Sequence, residues 1–186
     1  RIALDTLIIN APFQLFVYSY HIFIENVFNM PATAEDRLQG IAQILVQTSL
    51  LEKDKALHFQ QVASSNKVTF LHYLVTNNII AAKKIALAVA HSFGLAMLDL
   101  NSMDLDILPM ALVSEKLVRR HNLVPLYNRG TQLYLATDDP SKQSSLKEIQ
   151  FHTGLNVTPV VVETDKLSEL IDKLLNQKEN QGLTDY

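Results

Sequence analysis

The side chains able to do chemistry are few in kind and scattered along the chain. Cysteine is absent, which excludes disulfides and thiolate metal sites and agrees with a reducing compartment. The six histidines, His21, His58, His72, His91, His121 and His152, fall at no HExxH or related ligand spacing, so no metal is expected. Each reads as an exposed or helix-end residue. Asp104 with Asp106, and Asp138 with Asp139, are paired carboxylates of the kind used in acid–base catalysis. Their places ahead of Pro109 and Pro140 suit helix starts better, because a carboxylate there accepts from orphan backbone N–H groups. A nucleotide site needs GxxxxGK[ST] or a comparable glycine-rich cradle, and the five glycines, Gly40, Gly94, Gly130, Gly154 and Gly182, stand far apart. No catalytic residue is assigned, and no ATP hydrolysis is expected of this chain.

What remains is cationic. Lys53, Lys55, Lys83 and Lys84 lie in residues 37–98, a stretch of formal charge +4, whereas residues 99–186 carry −4. The net charge of −3 gives no electrostatic case for nucleic acid. A basic module beside an acidic one favours an acidic partner or a phosphate at the first, and ordinary solvated helix faces are the competing reading. Arg119, Arg120 and His121 fall in the last turn of an expected helix, where cations offset the negative dipole end. That role accounts for them. The alternative, which includes Arg129, is a docking patch for an anionic partner.

Two patterns must position these groups, and an apolar fraction of 48% is enough to give each a core. Setting IAQILVQTSLLEKDKALHFQQVA over FLHYLVTNNIIAAKKIALAVAHS aligns Leu45 with Leu74, Val46 with Val75, Leu51 with Ile80 and Lys55 with Lys84, each at an offset of 29 residues. A short helix, a turn at Ser49 or Asn78 and a second helix in each unit make two stacked helical hairpins. Further on, Leu112, Val113, Leu117 and Val118 mark one face of a helix over 112–121, which Asn122 ends in a left-handed conformation. Strands over 123–127 and 132–137 follow, joined through Gly130 as a hairpin. Asp138 or Asp139 then caps a helix with Pro140 in its first turn, running to about Thr153, where Gly154 stops it. The β-branched run 156–163 reads as a third strand, and Thr164 or Asp165 caps a last helix ending near Asn176. The expected fold class is α+β: a helical repeat domain followed by an αββαβα sandwich.

The segments LVSEKLVRRHNLVPLYNRG, DDP before a helix, IQFHTGL and VVVETDKLSELIDKLL closely resemble the N-terminal domain of type II secretion and type IV pilus assembly ATPases, the pilus extension enzymes most of all. The likeness covers roughly Met30 to Asn176. It implies a hexameric cytoplasmic motor at the inner-membrane face, whose ATP and Mg are bound by further domains and which polymerises pilin. This part would be a non-catalytic regulatory and docking region with no cofactor of its own. Its partners would be the inner-membrane platform, an actin-like scaffold protein or a PilZ-type regulator, so that it meets the membrane only indirectly. A cyclic di-GMP sensor and an oligomerisation module of a type II secretion ATPase are the alternatives.

The helical repeat itself resembles the cyclic di-GMP-binding module at the front of some of these ATPases. Each unit of that module reads like RLGxxLVxxGxI followed by a helix ending near Gln. Here the first glycine position holds Ala42 and Leu71, the second Ser49 and Asn78, and the Gln position Ala63 and Ser92. The Arg position falls on Gly40 and Thr69. The resemblance therefore implies that the apolar scaffold is kept while the open backbone and the guanidinium are not. Tight cyclic di-GMP binding is not expected, and Lys53, Lys55, Lys83 and Lys84 supply the residual attraction for phosphate.

The domain boundaries follow. Residues 1–29 are an extension in which Phe13, Phe16, Val17, Tyr20, Phe23, Ile24 and Val27 fit one face of an amphipathic helix. Asp5, Asn10, Pro12, Gln14, His21 and Glu25 interrupt it, so no apolar run reaches the ~18 residues of a membrane span. Residues 30–102 form the helical repeat domain and 103–176 the α/β domain, with a short ordered linker around Met103. Residues 177–186, QKENQGLTDY, are polar, lack apolar periodicity and read as a linker towards ATPase domains.

Overall fold

The computed structural model describes Leu38 and residues 40–182, with side chains placed through Asn176, and all of these fall within one compact unit, Leu38–Tyr186. The helix expected over 1–29 and the last residues of the polar tail lie outside the described residues.

Four helices open the described chain: α1 (Ile41–Gln47), α2 (Lys53–Ser65), α3 (Phe70–Thr76) and α4 (Ala82–Phe93). The 29-residue repeat extends to the hydrogen bonds. Leu50 N–H donates to the Leu45 carbonyl, and Ile79 N–H donates to the Leu74 carbonyl, both at 2.9 Å. Ser49 and Asn78 turn the chain at φ 57° and 53°. Leu45 and Leu74 are fully buried, Leu51 and Ile80 nearly so, while Lys55 and Lys84 stay exposed, so the aligned pairs share environments. Ala82, Ile85, Ala86, Val89 and Ala90 of α4 supply the i, i+3, i+4, i+7, i+8 stripe that closes this core. Burying each Leu or Ile there stabilises the fold by about 2 kcal/mol.

After Gly94 ends α4 with φ 63°, the linker is ordered as three short 3₁₀ turns over 100–102, 105–107 and 110–112. Asp99 and Asp104 cap the first two, each accepting from the N–H two residues on at 3.1 Å. Leu100, Leu108 and Val113 from this stretch enter the second core. There α5 (Glu115–His121), β1 (Leu123–Arg129), β2 (Gln132–Thr137), α6 (Gln143–Thr153), β3 (Asn156–Val161) and α7 (Thr164–Gly182) give the αββαβα order. β1 and β2 are antiparallel, β2 and β3 parallel, and the sheet order is β1-β2-β3. Pro125 on an edge strand deprives no inner neighbour of a donor, and a register shift follows it before Tyr127.

Several boundaries differ from expectation. The helix expected from Leu112 starts at Glu115, because Val113 is extended (φ −128°, ψ 126°) and reaches the core from outside the helix. Asn122 does close it, at φ 51°. The first strand of the hairpin runs on to Arg129, while the second spans Gln132–Thr137 as expected, leaving a two-residue turn at Gly130 and Thr131. Neither Asp138 nor Asp139 caps α6, whose N-cap is Lys142 without a side-chain bond. Asp139 instead closes on Ser141, accepting its N–H at 3.1 Å and its hydroxyl, so Pro140 shapes a loop ahead of the helix. β3 ends at Val161, two residues early, and α7 continues to Gly182, beyond Asn176.

The two cores meet at the end of β3. Val161, fully buried, packs in the helical core, while its neighbour Val162 packs in the α/β core, as the two-residue alternation of a strand requires. Val161 N–H donates to the Ala96 carbonyl and Leu98 N–H to the Val161 carbonyl, both at 2.9 Å, which fastens the chain after α4 to the sheet. Lys166 adds a tie, donating to Glu163 at 2.7 Å and Asp99 at 2.9 Å. These bonds raise the Lys166 pKa, Glu163 contributing most, and hold the Asp99 carboxyl below its usual value.

Candidate functional site

The first turns of α1 and α3 approach the loop between β2 and α6, and a cavity of about 490 Å³ lies between them. Ala42 and Leu71, the two residues at the first glycine position of the motif, line it together with Thr69 and the loop residues Asp138, Asp139 and Lys142. Gly40 has φ 54°, and a Cβ on it would lie 2.9 Å from the Ser141 hydroxyl oxygen, so a side chain would strain this approach. The loop is held from within. Asp139 N–H donates to the Thr137 hydroxyl at 3.2 Å, and the Gln143 amide donates to the Pro140 carbonyl at 3.0 Å.

Asp138 is the chemically unusual group. It is buried, with Asn122 Nδ2 donating to its Oδ2 at 3.3 Å. Desolvation pushes its pKa up, opposed by the nearby Lys142 charge, so this carboxyl holds a proton more readily than an ordinary aspartate. The cavity therefore presents a carboxyl and a second acid, Asp139, beside two apolar helix starts.

The other motif positions do not converge here. Ala63 is buried in α2, while Asn78 and Ser92 are exposed. Ser49 lines a separate hollow of about 710 Å³ with Lys53 and Lys55, and Lys55 is paired with Glu52 at 3.0 Å. Lys83 and Lys84 occupy the exposed first turn of α4 and line none of these cavities, so the four lysines do not form one phosphate site. Arg129 is exposed at the end of β1, apart from Arg119 and Arg120, which line a third cavity. Arg119, Arg120 and His121 do end α5, as the dipole argument requires. Arg120 and His121 also reach Glu148 of α6, at 3.0 and 2.9 Å, a pairing across 28 and 27 residues that no local pattern signals. Of the loop residues, only the DDP sequence gave a hint, and it pointed to capping. No group of side chains able to hold a metal ion occurs among the described residues.

Residues 93–181 match the model of the MshEN domain family. The type IV pilus assembly ATPase PilB of Pseudomonas aeruginosa is 38% identical over 138 residues, covering 74% of this chain and 24% of that protein. The PilB proteins of Acinetobacter baylyi and Myxococcus xanthus are 29% and 23% identical over 76% and 74% of this chain, and 24% of each of them is covered. The chain thus spans about a quarter of the length of these relatives. Among solved structures, that of MshE with cdg superposes with a TM-score of 0.55 at 16% identity, covering 73% of this chain and 99% of that one. The N-terminal domain of XpsE superposes at 0.54 and 17% identity, over 73% and 96%. These likenesses in structure bear on the fold alone, and the fold they share is the one described above. The segment matched is an N-terminal domain and not an ATPase domain, in agreement with the missing phosphate-binding loop. Residues 93–181 are thus an MshEN domain by their match, and over about three quarters of its length the chain is similar to PilB-type pilus assembly ATPases.

Proposed function

We propose that this chain is the non-catalytic regulatory and docking region of a type IV pilus assembly ATPase. In this reading residues 30–102 and 103–176 act as two modules of a hexameric cytoplasmic motor at the inner-membrane face, whose other domains bind ATP and Mg. They connect it to platform proteins, an actin-like scaffold or a PilZ-type regulator. The observation that carries the reading is the cavity between α1, α3 and the β2–α6 loop, because its walls come from both modules. Anything that binds there with different affinity in two arrangements of the modules biases one of them, which is what a regulatory region must do. The test is calorimetric titration of this chain with the cytoplasmic domain of each candidate partner. One of them is expected to bind saturably at about 10 μM or tighter, worth roughly 7 kcal/mol. Absence of heat with all of them overturns the docking reading.

Cyclic di-GMP sensing is the second reading, favoured by the fold shared with MshE, solved with cdg, and by the meeting of both first-glycine positions in one cavity. Ala42 and Leu71 argue against it, since their buried side chains occupy what glycine would leave open, and Thr69 offers no guanidinium. No heat is expected on titrating the chain at about 100 μM, a concentration at which a 1 μM site saturates. Saturable micromolar binding, lost when Lys53, Lys55, Lys83 and Lys84 are changed to Ala, would establish the sensor instead.

A further inference from the structure

We propose that the cavity between α3, α5, α6 and α7 is a binding site for a compact oxyanion, the phosphoryl group of inorganic phosphate or of a small phosphate monoester. The site is distinct from the one above and its argument does not depend on the docking reading. The cavity measures about 350 Å³, and its lining includes His72, Arg119, Arg120, His121 and Lys142 but no carboxylate. Its neighbour differs in this respect, for that cavity contains Asp138 and Asp139. Thr69 and Lys142 line both and form the wall between an acidic hollow and a basic one. Anions are thus directed to the second by the placement of charge in the fold, although the chain as a whole is acidic.

The cations are also oriented. Glu148, outside the lining, accepts from Arg120 at 3.0 Å and pairs with His121 Nε2 at 2.9 Å. That engages one guanidinium nitrogen and one ring nitrogen, leaving further guanidinium donors and the other ring nitrogen for a ligand. Lys142 is likewise placed by Asp139 at 3.5 Å. A helix dipole accounts for Arg119, Arg120 and His121 at the end of α5. It does not account for His72 from α3 and Lys142 from the start of α6 facing the same space. Nor does it account for Ser145 of α6, which lines the same cavity at 8% exposure. Its hydroxyl can supply a neutral donor beside the charged set around a tetrahedral oxyanion.

The experiment follows the imidazole resonances of His72 and His121 in this chain while inorganic phosphate, and separately a nucleoside monophosphate, is added at constant ionic strength. Saturable shifts with a Kd at or below about 1 mM are expected. Saturation by phosphate alone identifies the free ion as sufficient, and saturation by the monoester only identifies the ester as the ligand; either supports the site. The double change Arg119→Gln/Arg120→Gln is expected to weaken binding roughly tenfold or more, the loss of charge-assisted hydrogen bonds. Lys147→Gln/Lys173→Gln, equal in charge but outside the cavity, is expected to leave it unchanged. Ser145→Ala, which alters neither charge nor appreciable volume, is expected to weaken binding several-fold and guards against a folding defect in the arginine variant. No saturable shift up to about 20 mM of either probe, or equal weakening by the lysine pair, overturns the proposal.

Discussion

Replacing Ser49 by glycine is expected to stabilise the fold by about 0.5–1 kcal/mol, and replacing Asn78 by glycine is expected to do less. Both residues sit in the left-handed region, at φ 57° and 53°, in equivalent turns of the helical repeat. That conformation costs an ordinary L-residue roughly 1–2 kcal/mol and costs glycine nothing. Ser49 gives the turn only its backbone, through N–H donation to the Val46 carbonyl at 3.0 Å, and glycine keeps that bond. Against the relief stands the greater freedom of glycine in the unfolded chain, about 0.5–1 kcal/mol, which leaves the net gain stated for Ser49. Asn tolerates the left-handed region better, so the relief at Asn78 is smaller and its net is near zero. Thermal denaturation should show Ser49→Gly melting about 1–4 °C higher, and urea denaturation a higher midpoint with an unchanged slope. A lower melting temperature for Ser49→Gly, or a larger rise for Asn78→Gly than for Ser49→Gly, refutes the reasoning. The double variant also restores the second glycine of both motif units while Ala42 and Leu71 still line the cavity. It is expected to remain silent to cyclic di-GMP, because the side chains at the first glycine positions are unchanged.

Asp138→Asn is expected to raise the melting temperature at pH 7, since a carboxyl whose folded pKa is raised is less stable as the anion inside the fold than outside it. The native state binds the extra proton, so this group's contribution falls as pH rises from its unfolded value, about 3.9, through its folded pKa. Melting curves across pH should therefore converge for the two proteins in acid and separate towards neutrality, and curves that diverge in acid contradict the assignment. Val161→Ala removes two methyl-sized groups from a fully buried site in the helical core, at a cost of about 2–3 kcal/mol including the cavity left behind. Because Val161 belongs to a strand of the α/β module, both modules should lose stability together in hydrogen exchange. Loss confined to one of them would show that the junction does not couple them.

Much of the fold was legible because its rules are local. The 29-residue repeat could be read from Leu45 and Leu74, since both must face the same core at the same point of a helical hairpin. Asn122, Gly130 and Gly154 could be read as left-handed positions because few residues accept them, and all three have positive φ. The misreadings came where a residue serves a distant neighbour. Val113 belonged to the periodic stripe of α5, yet the core is reached by an extended residue there and the helix starts later. Asp139 has the composition of a cap, but Ser141 two residues on offers a hydroxyl and an N–H at once, and the shorter ring wins.

The sites were less legible for the same reason, carried further. Ala42 and Leu71 could be placed at equivalent turns from the repeat, but their meeting with Asp138 and Asp139 depends on how the two cores pack together. That arrangement is decided by Val161, whose side chain leaves the sheet for the helical core, and by the 96–98 segment that its backbone binds. Charge counted along the chain made residues 37–98 the basic region and 99–186 the acidic one. The fold partly reverses this, since most of the cations lining the 350 Å³ cavity come from the acidic half, while the acids paired with them lie outside the lining. A formal charge per segment averages over side chains that the fold separates, and at a Debye length of about 8 Å only the local set acts on a ligand. The four repeat-domain lysines, close together in two sequence pairs but divided between α2 and α4, show the converse. Their summed charge is real, yet no single anion can meet all of them in one of these cavities.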